Sequence, residues 1–306
     1  MRSLFLFLVA PLLALAPSAM AAPARPAQPL GAEWTLAGQK ATCGKGPQHR
    51  HFDLRAEERL YEVGMGFSVD AMTFAGKLAP VLEVCEGDTV TLTMQNAGTM
   101  AHGLDTHAFR IPTEKFGPVD TGKSLTLTSV VRTPGAFMFH CASGQVTDVH
   151  IKSGMYGEMI VYPRKLLPVA KEIAVLQGGF FGKPDANGLI HAETVRMTAN
   201  DPLTLEFNGR LEHQPVKVKV GERVRVWFVN AGPGASAVHV MGTLLDRFYA
   251  SGNPRNVEYD IQTGLVPAGG GAAFELTLPE KGSYMLVDHD NLRFLPYGMM
   301  IDLVAE

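Results

Sequence analysis

The 306-residue sequence is poor in charge and in cysteine. Charged residues make up 19% against 46% hydrophobic, a balance that excludes intrinsic disorder. The formal net charge is only -3, so there is no basic footprint, and no nucleic-acid partner is expected. No sustained apolar heptads with flanking charges occur, which excludes a coiled coil. No segment reaches about 18 uninterrupted apolar residues, so no membrane span is expected in the mature chain. The run Gly269-Gly270-Gly271 has no following helix and no lysine, so it reads as a turn and not a phosphate loop. Three cysteines is an odd count that calls for a reason if the protein is exported.

Export is what the N-terminus indicates. Met1-Arg2 precedes an apolar run from Leu4 to Leu15, and Ala19-Met20-Ala21 is a small-residue cleavage pattern. Residues 1–21 therefore read as a secretory signal peptide, and the mature protein is expected in the periplasm. The Ala/Pro-rich stretch from Ala22 to Pro29 reads as a tail. It opens an N-terminal extension taken as residues 22–50.

The body reads as all-β. Short β-branched runs such as Thr89-Val90-Thr91-Leu92-Thr93-Met94 and Glu158-Met159-Ile160-Val161-Tyr162 are separated by turns containing Gly, Pro or Asn. The grammar then repeats. Glu86-Gly87-Asp88-Thr89-Val90 through Asn96-Ala97-Gly98 resembles Gly221-Glu222-Arg223-Val224-Arg225 through Asn230-Ala231-Gly232. Thr133-Pro134-Gly135-Ala136-Phe137-Met138 recurs as Pro279-Glu280-Lys281-Gly282-Ser283-Tyr284-Met285. Gly157-Glu158-Met159-Ile160-Val161 is matched to Gly298-Met299-Met300-Ile301-Asp302. A unit of roughly 140 residues is too long for a solenoid repeat, so a duplicated domain is expected, with units at 51–165 and 166–306.

The chemistry gathers at one cysteine. His140-Cys141, then His150, then Met155 supplies thiolate, imidazole and thioether, a soft set that selects copper in a two-His, one-Cys, weak-Met arrangement. The missing histidine is expected from an earlier strand end, with His102 the candidate. Neighbours in a strand point to opposite faces, so Cys141 and His140 belong to different sites. His107 lies an odd offset after His102 and pairs by the same reasoning with His140. A third imidazole for that second site is expected from the second domain, where His239 and His289 both sit at the ends of predicted strands.

His102-Gly103-Leu104-Asp105-Thr106-His107, Phe139-His140-Cys141 and His150 with Met155 resemble the two-domain copper-containing nitrite reductases. Ala237-Val238-His239-Val240-Met241-Gly242 and Leu286-Val287-Asp288-His289 resemble the same family, and the match runs from about residue 55 to 306. The resemblance implies two tandem cupredoxin-like Greek-key β-sandwich domains in a homotrimer. It implies a type 1 copper held by His102, Cys141, His150 and Met155, which accepts the electron. It implies a type 2, catalytic copper held by His107 and His140, with His289 completing the site on a neighbouring subunit. Asp105 and His239 are implied as the proton-handling pair. The implied activity is the denitrification step from nitrite to nitric oxide, with a small cupredoxin or cytochrome c as electron donor.

Departures stand beside the resemblance. The loop from Ala142 to Val149 lacks the prolines and Trp that many members carry there, which leaves its donor-docking surface and redox potential open. Met159 is an alternative axial ligand, with Met155 favoured on spacing. Cys43 and Cys85 are left as an even pair for a disulfide or as two separate thiols. His49 and His51 are expected as a solvated surface pair, and His191 and His213 at the surface or in turns. A laccase-like oxidase would need several His-x-His pairs and a His-Cys-His run; here Ala142 follows Cys141, and His49 and His51 form the lone His-x-His. A blue-copper electron carrier would leave His107, His140, His289 and the second domain unexplained. A related enzyme acting on another small acceptor, such as oxygen, is the remaining alternative.

Overall fold

The computed structural model describes residues 35–306. The expected signal peptide and the tail from Ala22 to Pro29 lie outside the described residues. The first half carries β1 (His49–Gly64), β2 (Phe67–Phe74), β3 (Val81–Cys85), β4 (Thr89–Asn96), β5 (Asp105–Thr106), β6 (Ser124–Val130), β7 (Gly135–His140), α1 (Gln39–Thr42), α2 (Thr147–Lys152) and β8 (Tyr156–Tyr162). Then follow β9 (Lys171–Phe180), β10 (Gly182–Pro184), β11 (Leu189–Ala192), α3 (Thr194–Thr198), β12 (Thr204–Phe207), β13 (Val216–Val218), β14 (Arg223–Asn230), β15 (Ser236–Val240) and β16 (Leu245–Ala250). The chain closes with β17 (Val257–Ile261), β18 (Thr263–Val266), β19 (Gly271–Thr277), β20 (Gly282–Asp288), a 3-10 segment (His289–Tyr297) and β21 (Ile301–Ala305).

These strands form four sheets, ordered β10-β11-β2-β1-β4-β6, β3-β8-β7-β5, β12-β9-β14-β19-β16-β17 and β13-β21-β20-β15-β18. The all-β sandwich fold expected from the sequence is present. The first two sheets close on a core that includes Leu54, Leu92, Leu127, Phe139 and Val161. The last two close on Val226, Phe228, Val238, Phe274 and Leu286. A third core joins the halves, with Met138, Tyr156, Ile160 and Tyr162 facing Ala174, Leu176, Trp227 and Ala273. The second sheet is therefore covered on both faces, which is why β8 is buried at all seven positions. A strand covered on both faces reads as a continuous apolar run and not as an alternation. β11 pairs in parallel with β2, so a piece of chain from after residue 165 extends the first half's outer sheet.

The repeat has a physical basis. β4 and β14 both end in asparagine. The Asn96 amide donates to the carbonyls of Met100 and Val119 at 2.8 and 2.7 Å, and its oxygen accepts from the Gly98 N–H at 2.9 Å. Asn230 does the same with Gly234 and Val266 at 2.9 and 3.0 Å and with the Gly232 N–H at 2.8 Å. Each asparagine replaces backbone partners that an irregular loop cannot offer itself. One matched segment shifts in register. Gly135 pairs with Val161 while Gly282 pairs with Ala305, so Ile301–Ala305 matches Gly157–Val161. Gly298 instead takes φ 84° to cap the preceding 3-10 segment, a left-handed conformation that suits glycine.

The segment before β1 is tied to the first half. Cys43 and Cys85 form a disulfide with Cα atoms 5.6 Å apart, and the Ala37 and Gly38 N–H groups donate to Glu83. The bridge spans 42 residues. In the chain-entropy picture a loop of that length stabilises by about 4 kcal/mol. His49, His51 and His191 have polar partners in Thr91, Asp53 and Asp185. His213 lies between strands and is half-buried: its ring is 6.4 Å from that of Phe207, and burial lowers its pKa to about 3.

Between the halves, Glu158 is fully buried and neither carboxylate oxygen has a hydrogen-bond partner. Burial, reinforced by the negative Glu83, pushes its pKa well above the carboxylate range. Leaving a polar group buried and unpaired costs about 1–3 kcal/mol. The folded state holds a proton on Glu158 that the unfolded chain releases, so the linked loss of stability is absent in acid and grows as pH rises above the carboxylate range. Replacing it with an apolar residue of similar size, Glu158→Met, is expected to raise Tm, more at pH 8 than at pH 5. Thermal unfolding followed by circular dichroism checks this, and a Tm lowered at both pH values contradicts it.

Candidate metal centres

The register of β7 positions both sites. Phe139 lies opposite Gly157 on β8, and a Cβ at Gly157 would stand 2.2 Å from the Phe139 ring. Only glycine leaves room for that ring, which also packs 5.7 Å from Phe74. Phe139 is thereby fixed inward, and Cys141, two residues on, is buried in the same core. His140, between them, points the other way toward Asp105, its partner on β5.

Around Cys141 two histidine donors converge. The thiol sulfur is 3.3 Å from His150 Nδ1 and 4.0 Å from His102 Nδ1, and all three residues are buried. Donors about 2.0–2.3 Å from one tetrahedral ion stand roughly 3.5 Å apart, so these separations suit a shared metal. Met155 is buried beside them, with its carbonyl accepting from the Cys141 N–H and its N–H donating to the His150 carbonyl. Met159 is buried in the same core. The loop without prolines winds into α2, which swings His150 back over Cys141. Burial raises the Cys141 thiol pKa, opposed by hydrogen bonds from Ser143 and the Gly103 N–H. Burial and the neighbouring His102 lower that of His150. Both shifts describe the site without an ion, and a bound cation reverses the sign of the first.

The second cluster is Asp105, His107 and His140. The two histidine Nε2 atoms face each other at 3.1 Å. His140 Nδ1–H donates to the Cys141 carbonyl at 2.8 Å, which leaves its Nε2 lone pair aimed at His107. Desolvation, then the neighbouring His140, lowers the His107 pKa and favours the neutral imidazole that a metal requires. The segment from His102 to His107 is extended only at Asp105–Thr106, so its two histidines are separated by a loop and a two-residue strand and not by simple alternation.

His239 and His289 do not join this cluster within the chain. Their rings lie 5.5 Å apart on the second half, and His239 Nδ1–H donates to the Gln262 carbonyl at 2.6 Å. Among the described residues, two groups of three metal-capable side chains occur, and neither contains His289. Sequence reasoning missed four partners of the site residues. Glu58 bonds to His102, Ser143 to the Cys141 sulfur at 2.9 Å, Gly269 to His107, and Gln262 to His239. Spacing gives no signal for Glu58, Gly269 and Gln262, which arrive from distant strands or loops, whereas Ser143 lies two residues after Cys141 and was within reach of the sequence.

A stacked pair of β-sandwiches carrying a buried Cys/His/His cluster defines a cupredoxin-like copper protein, and residues 58–166 match a multicopper oxidase family. The chain is 33% identical over 268 residues to the copper-containing nitrite reductase of Neisseria gonorrhoeae, covering 83% of this chain and 67% of that protein. It is 34% identical to the one from Neisseria meningitidis serogroup B, covering 83% and 68%. The solved copper nitrite reductase of Nitrosomonas europaea superposes with a TM-score of 0.78 at 32% identity, over 85% of this chain and 94% of that one. The Cu-containing nitrite reductase (NirK) of Thermus scotoductus gives 0.77 at 28% identity, over 84% of this chain and 62% of that one, less than two thirds of its length. The chain belongs to the copper-containing nitrite reductase family, a family of oxidoreductases.

Gly157→Ala forces a methyl group into the Phe139 ring. Overpacking of that kind costs about 1–3 kcal/mol. Copper affinity at Cys141 is expected to fall at least tenfold, read by titrating copper into the metal-free protein. An unchanged affinity contradicts the placement of Cys141 by Phe139.

Proposed function

We propose that this chain reduces nitrite to nitric oxide, taking one electron through His140-Cys141. The supporting observation is that these adjacent residues belong to two different clusters. The overall change is nitrite plus two protons plus one electron, giving nitric oxide and water. His102, Cys141, His150 and Met155 would hold the electron-accepting, type 1 copper. His107, His140 and the His289 of a neighbouring copy would hold the catalytic, type 2 copper. Copper at these places supplies a one-electron relay and an open coordination position for the substrate oxygen.

The chain's own groups do the rest. The covalent path from Cys141 to His140 is paralleled by the hydrogen bond from His140 Nδ1 to the Cys141 carbonyl, which also locks the ring's tautomer. Asp105 lies 3.9 Å from His140 Nε2 and is only half-buried, so it is placed to bind and protonate an oxygen brought there. His239 is the second proton source. Its proximity to His289 means that both arrive together from the same neighbouring copy, so this reading requires an oligomer, and the family resemblance implies a homotrimer. In this reading residues 51–165 form the electron-accepting unit and 166–306 the unit that closes the neighbour's catalytic site. A small electron-donor protein, a cupredoxin or cytochrome c, is the expected source of the electron. The export pattern at the N-terminus and the Cys43–Cys85 disulfide both suit the periplasm. No helix among the described residues is long and apolar enough to cross a membrane.

Copper-loaded protein with a reduced donor is expected to release nitric oxide from nitrite, faster in acid than in alkali because two protons are consumed. His289→Ala is expected to keep the visible thiolate–copper absorption and lose at least about 100-fold in rate, the scale of general acid and metal-site losses. Nitric oxide release unchanged in that variant, or a flat pH profile in the parent, sinks the reading. Oxygen consumption without nitric oxide favours the alternative acceptor.

A further inference from the structure

We infer that Glu58, on β1, is the positioning residue of the Cys141 centre: its carboxylate fixes the His102 ring and lends the centre a negative charge. The inference rests on the copper reading above. Glu58 Oε1 stands 3.1 Å from His102 Nε2. A carboxylate accepts, so Nε2 carries the hydrogen and the lone pair belongs to Nδ1, the nitrogen facing the Cys141 sulfur. A metal-bound histidine whose other N–H meets a carboxylate is held in one tautomer and made a more basic ligand.

The carboxylate is itself held. Both its oxygens accept from the Thr99 N–H, at 3.1 and 2.9 Å. The loop between Asn96 and His102 runs directly over the bond. A Cβ at Gly98 would meet the two Glu58 oxygens at 2.7 and 2.9 Å and His102 Nε2 at 2.9 Å, so any larger residue there must push the carboxylate or the ring aside. Asn96 pins the same loop by accepting the Gly98 N–H. Three separate features therefore converge on one carboxylate–imidazole contact, and β1, not any strand of the ligand-bearing sheet, supplies it.

An anion one imidazole away from a metal favours the more highly charged oxidation state. Glu58→Gln keeps the length and an accepting oxygen but removes the charge. It is expected to retain the fold and copper while shifting the Cu(II)/Cu(I) stability ratio about tenfold toward Cu(I), a rise of about 59 mV for one electron. Glu58→Ala removes the hold as well and is expected to lose about 10–100-fold in copper affinity, as losses of such outer partners do. Gly98→Ala is expected to lose affinity similarly with the carboxylate still present. Redox titration of the thiolate–copper absorption reads the first effect, and copper titration of the metal-free protein reads the others. If Glu58→Gln leaves the potential unchanged, the inference is overturned, even where Glu58→Ala does not fold. If the parent protein shows no thiolate–copper absorption, the copper reading itself has failed, which is a different result.

Discussion

The packing of Phe139 over Gly157 is the constraint on which both sites depend. A strand gives its side chains alternately to two faces, and a shift of one residue exchanges them. With Phe139 locked inward, Cys141 must enter the core and His140 must leave it. Two chemically different sites then lie one peptide apart, a separation no pair of loops could hold so reliably. The fully buried second sheet supports this. With cores on both faces, β8 cannot slide without exposing apolar side chains on one side or the other.

The second half shows what the same scaffold does without the thiolate. Counting from Gly135 and from Gly282, Asp288 falls where Cys141 stands in the first half. Asp288 is buried there and acts as a hydrogen-bond hub, accepting from Gln177 at 2.9 Å, from the Ala237 N–H at 3.0 Å and from Asn291 at 2.9 Å. That hub caps the segment bearing His289 and ties it to the strand bearing His239. The duplicated position thus moves from ligating to organising. The second half also reaches the first directly, through the backbone of Gly269 at the His107 ring. The chain's weak point lies in the same interface, where Glu158 and Glu206 are both buried. Burial raises Glu206 to about 7 even though Tyr156 donates to it.

Much of this was legible in the sequence, for identifiable reasons. The His140-Cys141 step carries its own geometry because strand alternation is local. The Asn-Ala-Gly repeats were readable because each asparagine finds two of its three partners within four residues. The match of Gly157 to Gly298 misled because glycine there serves two unrelated ends, room for a ring in one half and a left-handed cap in the other. Glu58 and Gln262 were invisible for a deeper reason: they act through contacts between distant segments, which no spacing encodes. The return of the chain at β11 to the first half's sheet was hidden in the same way.

The central claim is that one dipeptide joins two copper sites, the second completed by another copy of the chain. Anomalous diffraction at the copper edge from copper-loaded crystals tests it most directly. The account predicts two peaks per chain, one among His102, Cys141 and His150, the other between His107 and His140 with the His289 of an adjacent copy as third ligand. A single peak at Cys141, or a second peak whose ligands exclude His140, would contradict it.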